Sequence, residues 1–271
     1  MTIFYFRLRN LLTRLKSYDN VIFINKTVIL SFCIISLLSF TFQTDFLTEQ
    51  KKFKKVRQAI KEKQLVIENK LSENNLKVDN FYLLMVAYKK EGLLELYTKS
   101  KNEDMYKKLI TYTICAQCGD LGPKRKEGDN QVPEGFYFIN CFNPNSTYYL
   151  SLGINYPNQS DKQKSKSKKI GGNIFIHGSC VTIGCLPMTD EKIKEIYLYS
   201  VYAKRNGQVK IPVYIFPFKM DKKNMLIFKE KYKNNNEILS FWNNLKMGYD
   251  MFLKDSNELN VSTSENGDYR F

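Results

Sequence analysis

Three short apolar runs separated by tight polar breaks, within residues 81–115, constrain the fold of this chain most. Residues 81–89 are dense in Tyr, Leu, Met and Val, and Glu91-Gly92 then supplies a turn. Residues 93–99 alternate apolar and polar side chains, a polar break follows at 101–104, and 106–115 is again β-like. Runs of this length joined by tight turns predict an antiparallel meander. Further strands are expected at 136–139, 148–152, 173–176 and 208–216, so the core reads as mainly β and mainly antiparallel. Hydrophobic content of 43%, 14% of it aromatic as a share of the whole chain, is enough to fill such a core.

Helical pattern lies on both sides of the strands. Residues 48–74 lack Gly and Pro and are rich in Lys, Glu, Gln and Leu, a composition that favours helix. Val56, Ile60, Leu65, Ile67 and Leu71 form a loose apolar stripe there, which suits a stalk or a packing helix between a membrane and the domain. Thr189-Asp190-Glu191 can open a helix that runs to about residue 204, with Ile193, Ile196, Tyr197 and Val201 on its buried face. Two more helices are expected at 222–233 and 237–254, and the polar residues after 255 read as a disordered tail. The segment DKQKSKSKK at 161–169 reads as a solvated basic loop.

Residues 27–42 carry no charge, and Arg7, Arg9, Arg14, Lys16 and Lys26 precede them. This pattern is that of a signal peptide core or a signal anchor. Because Gln43-Thr44-Asp45-Phe46 offers no small-residue cleavage site, an uncleaved anchor is favoured over secretion after cleavage. Lysines follow the segment as well as precede it, so charge alone does not orient it. The resulting organisation is a basic segment at 1–20, an anchor at 21–43, a helical linker at 44–79, a catalytic-type domain at 80–254 and a polar tail at 255–271. The net charge of +15 is spread along the chain with no nucleic-acid-binding module beside it. An anionic surface or polymer is therefore the expected partner, and nucleic acid is not.

The chemistry concentrates in residues 174–186. His177 is the single histidine of the chain, and Cys185 follows it by eight positions, directly after Gly184. An imidazole beside a thiol is the minimum set for a cysteine nucleophile: the ring takes the proton and the thiolate attacks. A core cysteine beside a strand-end histidine is the alternative that pattern alone leaves open.

The string IHGSCVTIGCLPMTDEKIKEIY at 176–197 resembles the active-site segment of the YkuD-type L,D-transpeptidases, and above all their YafK-like branch. GDLGPKRKEGDNQVPEGFYFIN, FNPNSTYYLSLGINYPNQSD, IPVYIFPF and FWNNLKMGYD agree with it in order, and the likeness covers roughly residues 80 to 252. The resemblance implies a β-sandwich-like catalytic domain that works without a cofactor or metal. It implies acyl transfer on peptidoglycan stem peptides, in which the cysteine attacks the carbonyl of the third, diaminopimelate-type residue and expels the fourth. On this resemblance Cys185 is the nucleophile, His177 its proton acceptor, and the Gly178 carbonyl orients the imidazole. The amides of Gly184 and Cys185 form the oxyanion hole. Lys124, Arg125, Asn143 and Tyr156 are candidate substrate contacts.

Two departures from the commonest family pattern, the eight-residue spacing and Pro187 two positions after the cysteine, follow the YafK-like branch. They leave the pair intact and open a second outcome: hydrolysis, as a carboxypeptidase or as an amidase freeing wall-bound lipoprotein. The expected location is periplasmic, held at the inner membrane by the N-terminal segment.

Cys115, Cys118, Cys141 and Cys180 can form two disulfides, with three connectivities, or none. Cys115-Ala-Gln-Cys118 also admits a redox reading, and Cys115, Cys118, Cys180 and Cys185 a zinc site, with or without His177. A wall-binding module without catalysis is the remaining alternative.

Overall fold

The central strand explains the layering. In the computed structural model, which describes residues 45–271, β1 (Tyr82–Tyr88) is buried at every position after Tyr82. An apolar run of this kind suits a strand covered on both faces. Alternation sends Leu83, Met85 and Ala87 into one core and Leu84, Val86 and Tyr88 into the other. Around it stand β2 (Leu93–Lys99), β3 (Lys107–Thr113), β4 (Gly135–Asn143), β5 (Ser151–Ile154), β6 (Phe175–His177), β7 (Leu186–Pro187) and β8 (Pro212–Phe216). Together they form one eight-stranded sheet in the order β3-β2-β1-β8-β4-β5-β6-β7.

The first three strands make the expected antiparallel meander. β8 then pairs in parallel with β1 and antiparallel with β4. β4 changes partner along its length: residues 135–138 pair with β8, whereas Ile139 and residues 141–143 pair with β5, with a register shift between Ile139 and Cys141. Such a shift bends a strand and increases its twist, so the sheet curls as it passes to β5, β6 and β7. The expected β-sandwich is thereby corrected. The strands make one curled sheet, and helices rather than a second sheet cover its two faces.

Among the described residues there are six helices: α1 (Phe46–Gln50), α2 (Lys54–Ser72), α3 (Gln159–Lys164), α4 (Asp190–Arg205), α5 (Lys222–Lys231) and α6 (Asn236–Asp255). α4 buries Ile193, Ile196, Tyr197 and Val201 in the first core, with the Thr189 hydroxyl accepting the Lys192 amide at its start. α2 lies on α4, burying Val56, Ala59, Ile67 and Leu71. Ion pairs of Lys63 with Glu191 and Glu195, and of Lys194 with Glu62, join the two helices. The stalk expected of the linker is therefore a layer of the domain. Its stripe differs too: Ala59 faces inward, while Leu65 is 68% exposed.

α5 and α6 close the second core. The single tryptophan, Trp242 of α6, donates to Glu134 at 2.9 Å. That carboxylate also takes the Lys89 ammonium at 2.9 Å and the Gly122 amide at 2.7 Å, so a fully buried charge is paired and hydrogen-bonded as burial demands.

Two stretches read as unstructured are ordered. Residues 159–164, which run into the first half of the expected basic loop, form α3 with a capping box between Asn158 and Asp161. The C-terminal residues fold back as a two-stranded hairpin, β9 (Ser262–Thr263) with β10 (Tyr269–Arg270). Tyr269 is buried against Phe136, ring centroids 5.0 Å apart, and its hydroxyl accepts from Asn158 Nδ2 at 2.9 Å.

Among the described residues no helix is long and apolar enough to cross a membrane. The basic segment at 1–20 and the anchor or signal peptide expected at 21–43 lie outside them. Because the C-terminal hairpin packs on the second core, Tyr269→Ala is expected to cost about 3 kcal/mol of stability, as truncating a buried aromatic does. Urea denaturation of the domain measures this; an unchanged midpoint would mean that the tail contributes nothing.

Candidate active site

β6 and β7 are parallel neighbours, with Ile176 opposite Leu186 and His177 opposite Pro187. Only residues 178–185 connect them, whereas a parallel connection ordinarily takes a dozen residues or more. The loop therefore turns sharply at both ends. Ser179 adopts a left-handed backbone at φ +63°, and Gly184 takes φ +132°. A Cβ on Gly184 would also lie 3.0 Å from the Gln131 carbonyl oxygen, so this position needs glycine twice over. Between them the Thr182 hydroxyl oxygen accepts the amides of Gly184 at 3.1 Å and Cys185 at 2.8 Å, and the hydroxyl donates to the Cys185 carbonyl at 2.9 Å. A disulfide from Cys180 to Cys115, with Cα atoms 5.4 Å apart, ties the loop to the segment after β3.

This geometry sets the candidate pair. Ile176 and Leu186 are buried side by side in the first core, with His177 directly after the one and Cys185 directly before the other, and no hydrogen bond joins the two side chains. Cys185 thus stands at the entry of one strand and His177 at the exit of its neighbour. The Cys185 thiol is half-buried, accepts from the Phe175 amide at 3.4 Å and donates to the Asn173 carbonyl at 3.7 Å. It borders a cavity of about 220 Å³ whose wall includes Lys90, Gln117, Cys118, Asp120, Lys231 and Tyr232. His177 does not line that cavity. Its imidazole is 2% exposed and lies under the Tyr148 ring, centroids 4.6 Å apart.

The Gly178 carbonyl oxygen lies 2.5 Å from His177 Nδ1. A carbonyl only accepts, so Nδ1 carries the proton and Nε2 presents its lone pair. Gly178 has no room for a side chain, since a Cβ would come within 2.6 Å of Asp190 Oδ1 and 2.7 Å of the Tyr148 carbonyl oxygen. Burial lowers the His177 pKa from the ordinary 6.5, opposed by the bond to Gly178. Burial also raises the Cys185 thiol above its ordinary 9.0, opposed by the Phe175 amide. At rest, then, both groups are neutral.

The other residues singled out in the sequence are placed as follows. The amides of Gly184 and Cys185 converge on one oxygen, that of Thr182. Asn143 shares a cross-sheet row with His177, since it is opposite Ser151, which is opposite His177. Lys124 is buried on Asp129, at 2.6 Å. Arg125 pairs with Asp161 at 3.1 Å and covers the Phe241 ring. Asp161 also takes the Tyr137 hydroxyl, and burial pushes its carboxyl up to about 6. Tyr156 is buried, its one hydroxyl proton shared between the backbone carbonyls of Lys124 at 3.4 Å and Ile170 at 3.3 Å. Lys124, Arg125 and Tyr156 therefore hold the loop at 122–135 against α3 and its flanks.

Sequence reasoning left out Tyr148, Thr182 and the loop-facing role of Asp190. Thr182 was findable as a hydroxyl three residues before the nucleophile, but the long-range contacts of the other two have no local signal. The disulfide takes Cys115 out of the C-x-x-C redox pair and both Cys115 and Cys180 out of the zinc set, and among the described residues Cys118, Cys141 and Cys185 are free thiols. Among the described residues no group of three His, Cys, Asp or Glu side chains is arranged to hold a metal ion.

Residues 82–248 match the YkuD family, the L,D-transpeptidase catalytic domain. Over 167 residues the chain is 40% identical to proteins of Escherichia coli K12 and O157:H7 that are both named "Putative L,D-transpeptidase YafK". The matched region is 61% of this chain and spans 64% of the length of those relatives. Among solved structures, the helical cell shape determining protein Pgp2 of Campylobacter jejuni aligns at 20% identity and TM-score 0.41, over 69% of this chain and 74% of that one. Bd1075 of Bdellovibrio bacteriovorus aligns at 22% identity and TM-score 0.37, over 63% and 62%.

Neutral resting groups make a prediction about reactivity. Alkylation of Cys185 by iodoacetamide, resolved from Cys118 and Cys141 by peptide mass, is expected to be slow at neutral pH and to accelerate only above the ordinary thiol value of 9.0. A fast rate that stays flat between about pH 5 and 8 would instead reveal an ion pair at rest.

Proposed function

The chain belongs to the YkuD family of L,D-transpeptidase catalytic domains, and from that premise we propose that it is a cysteine acyltransferase acting on peptidoglycan stem peptides. The observation that carries this reading is the 2.5 Å contact between His177 Nδ1 and the Gly178 carbonyl oxygen, which leaves Nε2 free to act as a base, on the strand next to the one that Cys185 leads into. As the Cys185 Sγ attacks the carbonyl of the third, diaminopimelate-type residue, its proton passes to His177 Nε2. The tetrahedral intermediate collapses by breaking the amide bond to the fourth residue, whose amine leaves with that proton. A neighbouring stem peptide's amine then attacks the thioester, gives its proton to His177, and releases Cys185 as the thiol.

Gly184 and Cys185 supply the oxyanion hole. Their amides already converge on one oxygen, the Thr182 hydroxyl, and rotation of that side chain hands both donors to the substrate oxyanion. Each donor in such a hole is worth about 3 kcal/mol of barrier. On the cavity wall, Lys90 and Lys231, the latter over the Tyr232 ring, are the cations that would meet stem-peptide carboxylates. Lys124 and Arg125 act one step back, through the loop they hold. The Cys115–Cys180 disulfide supports an oxidising, periplasmic location, with residues 21–43 as the anchor.

Incubation with tetrapeptide muropeptides tests this reading. The expected products are cross-linked dimers with release of the fourth residue, and Cys185→Ala is expected to abolish both. Tripeptides without dimers would replace transfer by hydrolysis on the same nucleophile. Equal turnover by Cys185→Ala would remove cysteine catalysis altogether.

A further inference from the structure

The peptide group between Gly178 and Ser179 is engaged at both ends. Its carbonyl oxygen faces His177 Nδ1 at 2.5 Å, and its N–H, that of Ser179, donates to Asp190 Oδ1 at 2.9 Å. The three groups form a chain: imidazole, peptide, carboxylate. The two ends of a peptide group are conjugated, so a carboxylate on the N–H shifts electron density toward the oxygen and makes it a stronger acceptor. Hydrogen bonds in series reinforce one another in this way, and do so more in a site of low dielectric.

Local structure is arranged to make this contact. Ser179 takes a left-handed backbone that L-residues rarely adopt, which turns its N–H toward α4. Asp190 is the first residue of α4, where the helix dipole favours negative charge. The glycine at 178 lets the carboxylate approach, because a Cβ there would lie 2.6 Å from Asp190 Oδ1. A carboxylate needed only to cap α4 would not require either feature, since Thr189 already caps it.

We propose that Asp190 is a positioning residue for His177, acting through the Gly178–Ser179 peptide group. It does the work of the third member of a catalytic triad at one remove: it holds the ring's orientation and tautomer and stabilises the imidazolium formed when Cys185 attacks. The proposal rests on the acyl-transfer reading for its consequence and on geometry alone for the link itself.

Because His177 is the only histidine, its NMR titration is unambiguous, and a Cys185→Ala background removes coupling to the thiol. The other titratable groups around the ring and the carboxylate are left unaltered by these variants: Tyr148 and Tyr149 before β5, Lys55 of α2 on the Ser146 carbonyl, Lys194 of α4 over the Tyr149 ring, and Glu62 and Glu191 beside Lys194. Asp190→Asn keeps an acceptor oxygen and removes the charge at an exposed position. It is expected to lower the His177 midpoint by about half a pH unit and to move the Nδ1 proton upfield. In the Cys185 enzyme it should lower kcat about tenfold with KM unchanged, and Asp190→Glu should recover part of the loss.

A folded Asp190→Asn protein with both NMR signals unmoved would overturn the relay, as would a loss of thermal stability unaccompanied by any shift. Asp190→Glu gives the same titration if the asparagine variant does not fold. A shifted titration in a protein inert toward muropeptides would uphold the relay and fault the substrate reading instead.

Discussion

The parallel pairing of β6 with β7 across eight residues is the constraint on which the site depends. A longer connection could leave the sheet and return, but this one must turn within a few ångströms of where it starts. Its left-handed Ser179, the positive φ of Gly184, the Thr182 hydroxyl and the Cys180 disulfide are all means of completing that turn. The outcome is chemical. A thiol and an imidazole stand at the ends of adjacent strands, and the backbone of the loop itself supplies the carbonyl that meets the ring.

Separation of exposure between the two groups follows from where each sits. Cys185 opens onto the cavity beside the segment at 116–121, whereas His177 lies behind it under Tyr148. Burial lowers the His177 imidazole and raises the Cys185 thiol from their ordinary values. A thiol raised in this way reacts slowly with oxidants and alkylating agents, and Cys118 is a second free thiol on the same cavity.

Much of the framework was legible in the sequence because it is written in local periodicity. The meander of β1 to β3 and the buried face of α4 follow from the alternation at 81–115 and the spacing of Ile193, Ile196, Tyr197 and Val201. What escaped was set by distant partners. Asp161 looks like part of a basic loop until Arg125 and Tyr137 bury it, and the C-terminal tail looks polar until Tyr269 meets Phe136. Leu65 fits an apolar stripe, yet Ala59 is the residue small enough to sit against α4. In the site, the pair His177 and Cys185 was visible by its rarity. Asp190 was read as a helix-start acid, and only the three-dimensional return of the loop puts it on the Ser179 amide.

The central claim is that Cys185 carries the acyl group. Mixing the domain with a tetrapeptide muropeptide, quenching in acid within the first turnover and mapping the adduct by peptide mass tests it directly. The account predicts a tripeptide-stem thioester on the peptide containing Cys185, with one equivalent of the fourth residue released. Release of that residue with no adduct on Cys185, or with the adduct on Cys118, would contradict it.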